Sequence, residues 1–88
     1  MKFRLAIPPH VEQTIFHLTP NLKRKIRDAL DAIREEPHLG KPLKDELRGL
    51  WSYRVRRYRI IYRIQHRRIE IQIIDLGLRN LIYERVLQ

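Results

Sequence analysis

No cysteine occurs in the 88 residues of this chain, so neither a disulfide framework nor a thiolate metal site is open to it. The same absence suits a reducing cytosol. Glycine occurs only three times, and no glycine-rich phosphate loop can be written from so few. No apolar run nears the roughly 18 residues of a membrane span. The opening MKFRLAIPPH lacks the apolar stretch of a secretion signal, so export is not expected; the predicted location is cytoplasmic, with no membrane partner. His10, His17, His38 and His66 are scattered, with no pair at the i, i+4 spacing of a helical metal site. Acids number ten against nineteen lysines and arginines, and the adjacent pairs Glu35-Glu36 and Asp45-Glu46 fall where solvation explains them. Between Glu46 and Glu70 there is no acid at all.

That acid-free stretch holds eight arginines: Arg48, Arg54, Arg56, Arg57, Arg59, Arg63, Arg67 and Arg68. Trp51, Tyr53, Tyr58 and Tyr62 are interleaved with them. Guanidinium forks pair with phosphate oxygens, and rings stack on bases. The net charge of +9 adds to the same preference for a polyanion. RNA is the partner favoured here, although phosphate contacts by themselves do not separate RNA from DNA. Hydrophobic content of 43% predicts a folded chain despite 33% charge. The length predicts one small domain over residues 1–88, with a thin core that a partner chain would reinforce.

Periodicity gives the elements. Phe3, Leu5 and Ile7 alternate as a half-buried strand, ended by Pro8-Pro9. Val11, Ile15 and Leu18 mark a first helix of about three turns. Thr19-Pro20 opens a second, with Thr19 as N-cap and Pro20 in the first turn. Its stripe is Leu22, Ile26, Ala29, Leu30 and Ile33, and Pro37 stops it. Residues 37–49 read as a connecting loop. Strands are predicted over 50–56, 58–64 and 68–76. In the last of these, Ile69, Ile71 and Ile73 share one face, with Ile74 and Leu76 on the reverse. Asn80 to Leu87 reads as a short terminal helix. The fold class is therefore α+β, in the order β-α-α-β-β-β with a short C-terminal segment. Two N-terminal helices pack on one face of a small, mostly antiparallel sheet. On the other face Arg54, Arg56, Arg59 and Arg63 emerge together. A lone exposed arginine is ordinary surface, but a cluster without an interleaved acid points to binding.

The run KPLKDELRGLWSYRVRRYRIIYRI from Lys41 to Ile64 resembles the signature of the RelE/ParE toxin superfamily. The later IDLGLRNLIY, from Ile74 to Tyr83, is similar to that family's final strand and its G-x-R-x-x-x-Y ending. The element order fits over nearly the whole chain. The resemblance implies the toxin of a type II toxin–antitoxin pair. The RelE branch implies a ribosome-dependent endoribonuclease that cuts mRNA through the RNA's own 2′-OH, without a metal or other cofactor. The ParE branch implies an inhibitor of DNA gyrase, and a basic RNA-binding domain without catalysis is the third reading. Carried over by position, Arg54, Arg56, Arg59, Arg79 and Tyr83 are the implied catalytic set. Lys44, Arg48, Arg57 and Arg63 are the implied RNA-binding set. Arg59 would stabilise phosphate charge, Arg79 would be a second phosphate clamp or the acid, and Tyr83 would stack on or orient the substrate. Leu78 stands where many relatives have histidine, Asn80-Leu81 where they often have an arginine and an acid, and arginine where some have lysine. Arginine stays protonated, so it stabilises charge but is a poor base. The implied partners are mRNA on the ribosome and an acidic antitoxin, with a toxin–antitoxin heterotetramer as one assembly.

Overall fold

The computed structural model describes residues Lys2 to Gln88. Eight regular elements follow in order: β1 (Arg4–Ala6), α1 (Pro9–Phe16), α2 (Pro20–Glu35), β2 (Lys41–Pro42), β3 (Trp51–Val55), β4 (Tyr58–Gln65), β5 (Glu70–Leu78) and α3 (Arg79–Leu87). The strands form one five-stranded sheet in the order β1-β5-β4-β3-β2. Only β1–β5 is parallel; the other pairings are antiparallel. The α+β class and the mostly antiparallel sheet stand as expected.

The core follows the periodicity. On α2, Ile26, Ala29, Leu30 and Ile33 are buried at helical spacing. With Val11 and Ile15 of α1 they pack on Val55, Ile60, Tyr62, Ile71, Ile73 and Leu76 of the sheet. Pro20 opens α2 and Thr19 takes the N-cap position, but its side chain makes no capping bond. The end of α2 is tied to β1 in both directions. Phe3 N–H donates to the Arg34 carbonyl at 3.1 Å, and Arg34 Nε donates to the Phe3 carbonyl at 3.1 Å.

Four expectations need correction. The first helix has two turns, not three, because the chain turns at His17 so that Leu18 can dock on the core. The 37–49 loop contains β2, which makes the sheet five-stranded rather than four-stranded. Its anchor is Tyr62, which is fully buried. The Tyr62 hydroxyl donates to the Pro37 carbonyl at 2.6 Å and accepts from Gly40 N–H at 3.1 Å. Burial pushes its pKa up to about 12, so it remains a donor at neutral pH. A Cβ at Gly40 would collide with that hydroxyl, so the close approach needs glycine.

The third correction concerns β5. It runs over 70–78 rather than 68–76, and Ile69 lies in the preceding turn at φ 50°. The register slips between Ile61, opposite Asp75, and Tyr62, opposite Ile73, leaving Ile74 as the extra residue of a bulge. The bulge reverses the alternation, so Leu76 joins Ile71 and Ile73 on the helix side. Strict alternation places it on the reverse. The fourth is the face opposite α1 and α2, which is not simply open. There α3 covers a second small cluster of Leu50, Ile61 and Ile82. That cluster separates Arg63 from Arg59 along β4.

Candidate functional site

Strands β3 and β4 meet in a two-residue loop, Arg56-Arg57, with Val55 opposite Tyr58. Arg56 has φ 57°, as the mirror-image hairpin turns require at their first loop residue. Asn or Gly normally accepts that conformation, so here it is imposed on arginine. One pair inside the hairpin, Arg54 and Arg59 are directly opposite each other. On its other side Arg59 faces Gly77 of β5. Arg79 N–H then donates to the Arg57 carbonyl at 2.8 Å, which brings the first residue of α3 against the hairpin loop.

The result is an open cleft of about 650 Å³ lined by Arg54, Arg56, Arg57, Leu78, Arg79, Asn80 and Tyr83. Four guanidiniums border it and no carboxylate does. None of the ion pairs formed among the described residues involves any of the four. Like charges so arranged repel, and a bound anion relieves that repulsion. Arg59 lines the adjoining groove with Ser52 and Arg54. Its Nε is buried and has no hydrogen-bond partner among the described residues. Buried polar groups are nearly always satisfied, so an unpaired guanidinium N–H beside a cationic cleft is notable.

Tyr83 is held rather than free. Its hydroxyl is 3.0 Å from Ser52 Oγ, and its ring packs with the Leu50–Ile61–Ile82 cluster. This tyrosine therefore has two roles: one edge fixes α3 to β3, and another lines the cleft. A second clamp lies behind it. Asp75, only 6% exposed, accepts from Arg85 Nε at 2.8 Å and Arg85 Nη2 at 2.9 Å, and from its own neighbour Leu76 N–H at 2.8 Å. The hydrogen bond to Asp75 raises the Arg85 pKa above its usual value. Gly77 sits beneath this helix, where an added Cβ would come within 2.8 Å of Arg85 and 3.0 Å of Ile82.

Of the implied catalytic set, Arg54, Arg56, Arg79 and Tyr83 line one cleft, and Arg59 is the register partner of Arg54. The expected four-arginine face is corrected: Arg56 belongs to the loop, and Arg63 faces Gln72 farther along the sheet. Of the implied RNA-binding set, Arg57 lines the cleft. Lys44 and Arg48 flank the turn at Asp45–Leu47 and, like Arg63, are exposed away from it. Asn80 and Ser52 were not foreseen, and nothing in their local pattern marks them. Asp75 and Arg85 did carry a signal, since a carboxylate inside an otherwise apolar strand must find a partner.

Chemically, the cleft can seat a phosphodiester among fixed positive charges. Among the described residues lining it, Tyr83 carries the one hydroxyl, while the guanidiniums donate hydrogen bonds and supply charge. Among the described residues no three metal-ligating side chains are grouped to share an ion. No helix there is long and apolar enough to cross a membrane.

Comparison with known proteins bears on the family and the fold. Residues 10–83, which include every cleft residue, match the family described as ParE toxin of type II toxin-antitoxin system, parDE. Among solved structures, the Mycobacterium tuberculosis toxin-antitoxin complex RelBE2 is 26% identical, with a TM-score of 0.80 over 90% of this chain and 100% of its own. The archaeal RelE-RelB complex of Pyrococcus horikoshii is 26% identical, with a TM-score of 0.74 over 90% and 97%. A free arginine-to-alanine variant of Escherichia coli toxin RelE has the same fold at 16% identity, with a TM-score of 0.78 over 98% and 90%. No curated protein sequence matches the chain.

Proposed function

The chain belongs to the ParE toxin family of type II toxin–antitoxin systems, and from that premise we propose that it is a cytoplasmic endoribonuclease of the RelE kind. It acts on mRNA in the ribosome and is neutralised by an acidic antitoxin. The observation that carries this reading is the cleft in which Arg54, Arg56, Arg57, Arg79 and Tyr83 converge with no carboxylate among them. Two structures of RelE complexes at 26% identity support the branch.

In the proposed reaction the 2′-oxygen of one ribose attacks the adjacent phosphorus. The bond from phosphorus to the 5′-oxygen breaks, leaving a cyclic phosphate and a 5′-OH. Arg54, Arg59 and Arg79 offset the negative charge that builds on the phosphoryl oxygens. Stabilising developing charge is usually the largest single contribution to catalysis. Tyr83 orients the nucleotide and gives its hydroxyl proton to the departing 5′-oxygen, while the 2′-OH proton passes to water, from which the tyrosine is reprotonated. With Leu78 at the cleft and no imidazole there, proton removal from the 2′-OH is the weak step, so turnover is slow.

A second reading is inhibition of DNA gyrase, as the family description names ParE. Expression in bacteria separates the two. Cleavage of translated mRNA supports the first, double-strand breaks with an SOS response support the second, and harmless expression leaves a non-catalytic RNA binder. Arg59→Ala and Arg79→Ala are each expected to abolish growth arrest while thermal unfolding stays cooperative. Full toxicity in both variants would overturn the phosphate roles.

A further inference from the structure

The β3–β4 hairpin loop has two sides, and the cleft uses only one. On the other, between the loop and the start of α2, lies a cavity of about 330 Å³. Lys25 of α2 enters it with Arg56 and Arg57, beside Thr19, Asn21 and Tyr58. Arg56 and Arg57 border both hollows, so the two are joined around the loop tip.

Three features distinguish this cavity from ordinary basic surface. Lys25, Arg56 and Arg57 form none of the ion pairs found among the described residues. An acid of α2, Asp28, borders the neighbouring groove with Lys25 and Arg56, but it forms none of the ion pairs found among the described residues. Next, the Thr19 hydroxyl makes no capping bond, leaving it available with the Asn21 amide as a polar contact. Finally, the strained Arg56 backbone places consecutive guanidiniums on the tip that divides the two hollows. Tyr58 is half-buried, and its ring gives the cavity an apolar wall against a ribose or base. The cations and the cavity, rather than the helix end, make the site.

We propose that this cavity is a second phosphate subsite, which takes the RNA backbone beyond the nucleotides held in the cleft. Lys25 is its own cation, and Arg56 and Arg57 are shared. The strand bends around the hairpin tip and touches protein on both sides of the sheet. This rests on the RNA reading given above and adds to it a path for the strand.

The test is length-dependent binding of single-stranded RNA made uncleavable by a 2′-deoxy ribose at the attacking position. A dinucleotide fills the cleft alone; a hexanucleotide reaches the cavity. Lys25→Ala is expected to weaken the hexanucleotide about fivefold more than the dinucleotide. It should also flatten the hexanucleotide's slope of log affinity against log salt by about 0.7, the value of one single-strand phosphate contact. Lys25→Arg should restore both. Arg54→Ala should weaken both lengths. Equal effects of Lys25→Ala on the two RNAs would overturn the subsite and leave the cleft reading standing. No effect of Arg54→Ala on either length would overturn both, whereas no binding of either RNA by the wild type would overturn the subsite and leave the ribosome-dependent reading standing. If Lys25→Ala spares RNA but weakens an acidic peptide, the cavity serves a protein partner and the proposal fails.

Discussion

At the scale of single residues, Arg56 bears a conflict between folding and function. A non-glycine residue in the left-handed region loses roughly 1–2 kcal/mol against its favoured conformations. Arg56 sits there at φ 57°, with its side chain exposed at the loop tip. The hairpin geometry alone would select glycine. Arg56→Gly should therefore raise stability, by up to about 1 kcal/mol after the added freedom of the unfolded chain is subtracted. In a domain of this size that is roughly 4–8 °C in the unfolding midpoint. The same variant should weaken RNA binding and growth arrest, because a guanidinium shared by both hollows is gone. Calorimetry beside a toxicity assay checks the pair of effects. A lower midpoint would show that the loop is not strained by its arginine.

At the scale of elements, α3 decides whether the cleft exists. Its nine residues are too few for an isolated helix to be stable in water. Only Ile82 is fully buried, while Leu81 and Leu87 remain 53% and 50% exposed. The helix is held by the Tyr83–Ser52 contact, the Arg79–Arg57 backbone bond and the Asp75–Arg85 pair. Asp75→Asn keeps the shape but removes the charge that faces Arg85. With the carboxylate buried and the guanidinium half-exposed, the expected loss is about 1–3 kcal/mol. Hydrogen exchange should show the α3 amides losing protection while those of β4 keep it. Uniform loss across both would mean that α3 belongs to the global folding unit. This same scale divides what the sequence discloses from what it does not. Helix α2 and strands β3 and β4 were legible because their apolar spacing is uninterrupted. The face of Leu76 was not, since a bulge changes parity without any mark in composition. Strand β2 was hidden because Tyr62, which anchors it, lies 20 residues beyond Pro42. In the site, the motif residues Arg54, Arg79 and Tyr83 could be named in advance, but their convergence depends on a backbone bond that no local pattern encodes.

At the scale of the whole molecule, the +9 charge is less uniform in effect than its size suggests. The molecule measures 34 × 30 × 21 Å. The screening length is about 8 Å at physiological salt and about 30 Å at 0.01 M. An approaching polyanion therefore feels the entire chain only in dilute buffer, and in the cell it feels the face it meets. Arg57 and Arg67 lie in the turns beyond opposite ends of β4, whose eight residues at about 3.3 Å each span roughly 26 Å. Charge reversal at either should slow association of a short single-stranded RNA at 0.01 M salt. At 0.15 M, Arg57→Glu should still slow it severalfold, whereas Arg67→Glu should leave it within experimental scatter. Stopped-flow association rates at the two salts make the comparison. Equal slowing by both variants at 0.15 M would mean that the RNA also lands on the far end of the sheet, and that the cleft is not the principal docking surface.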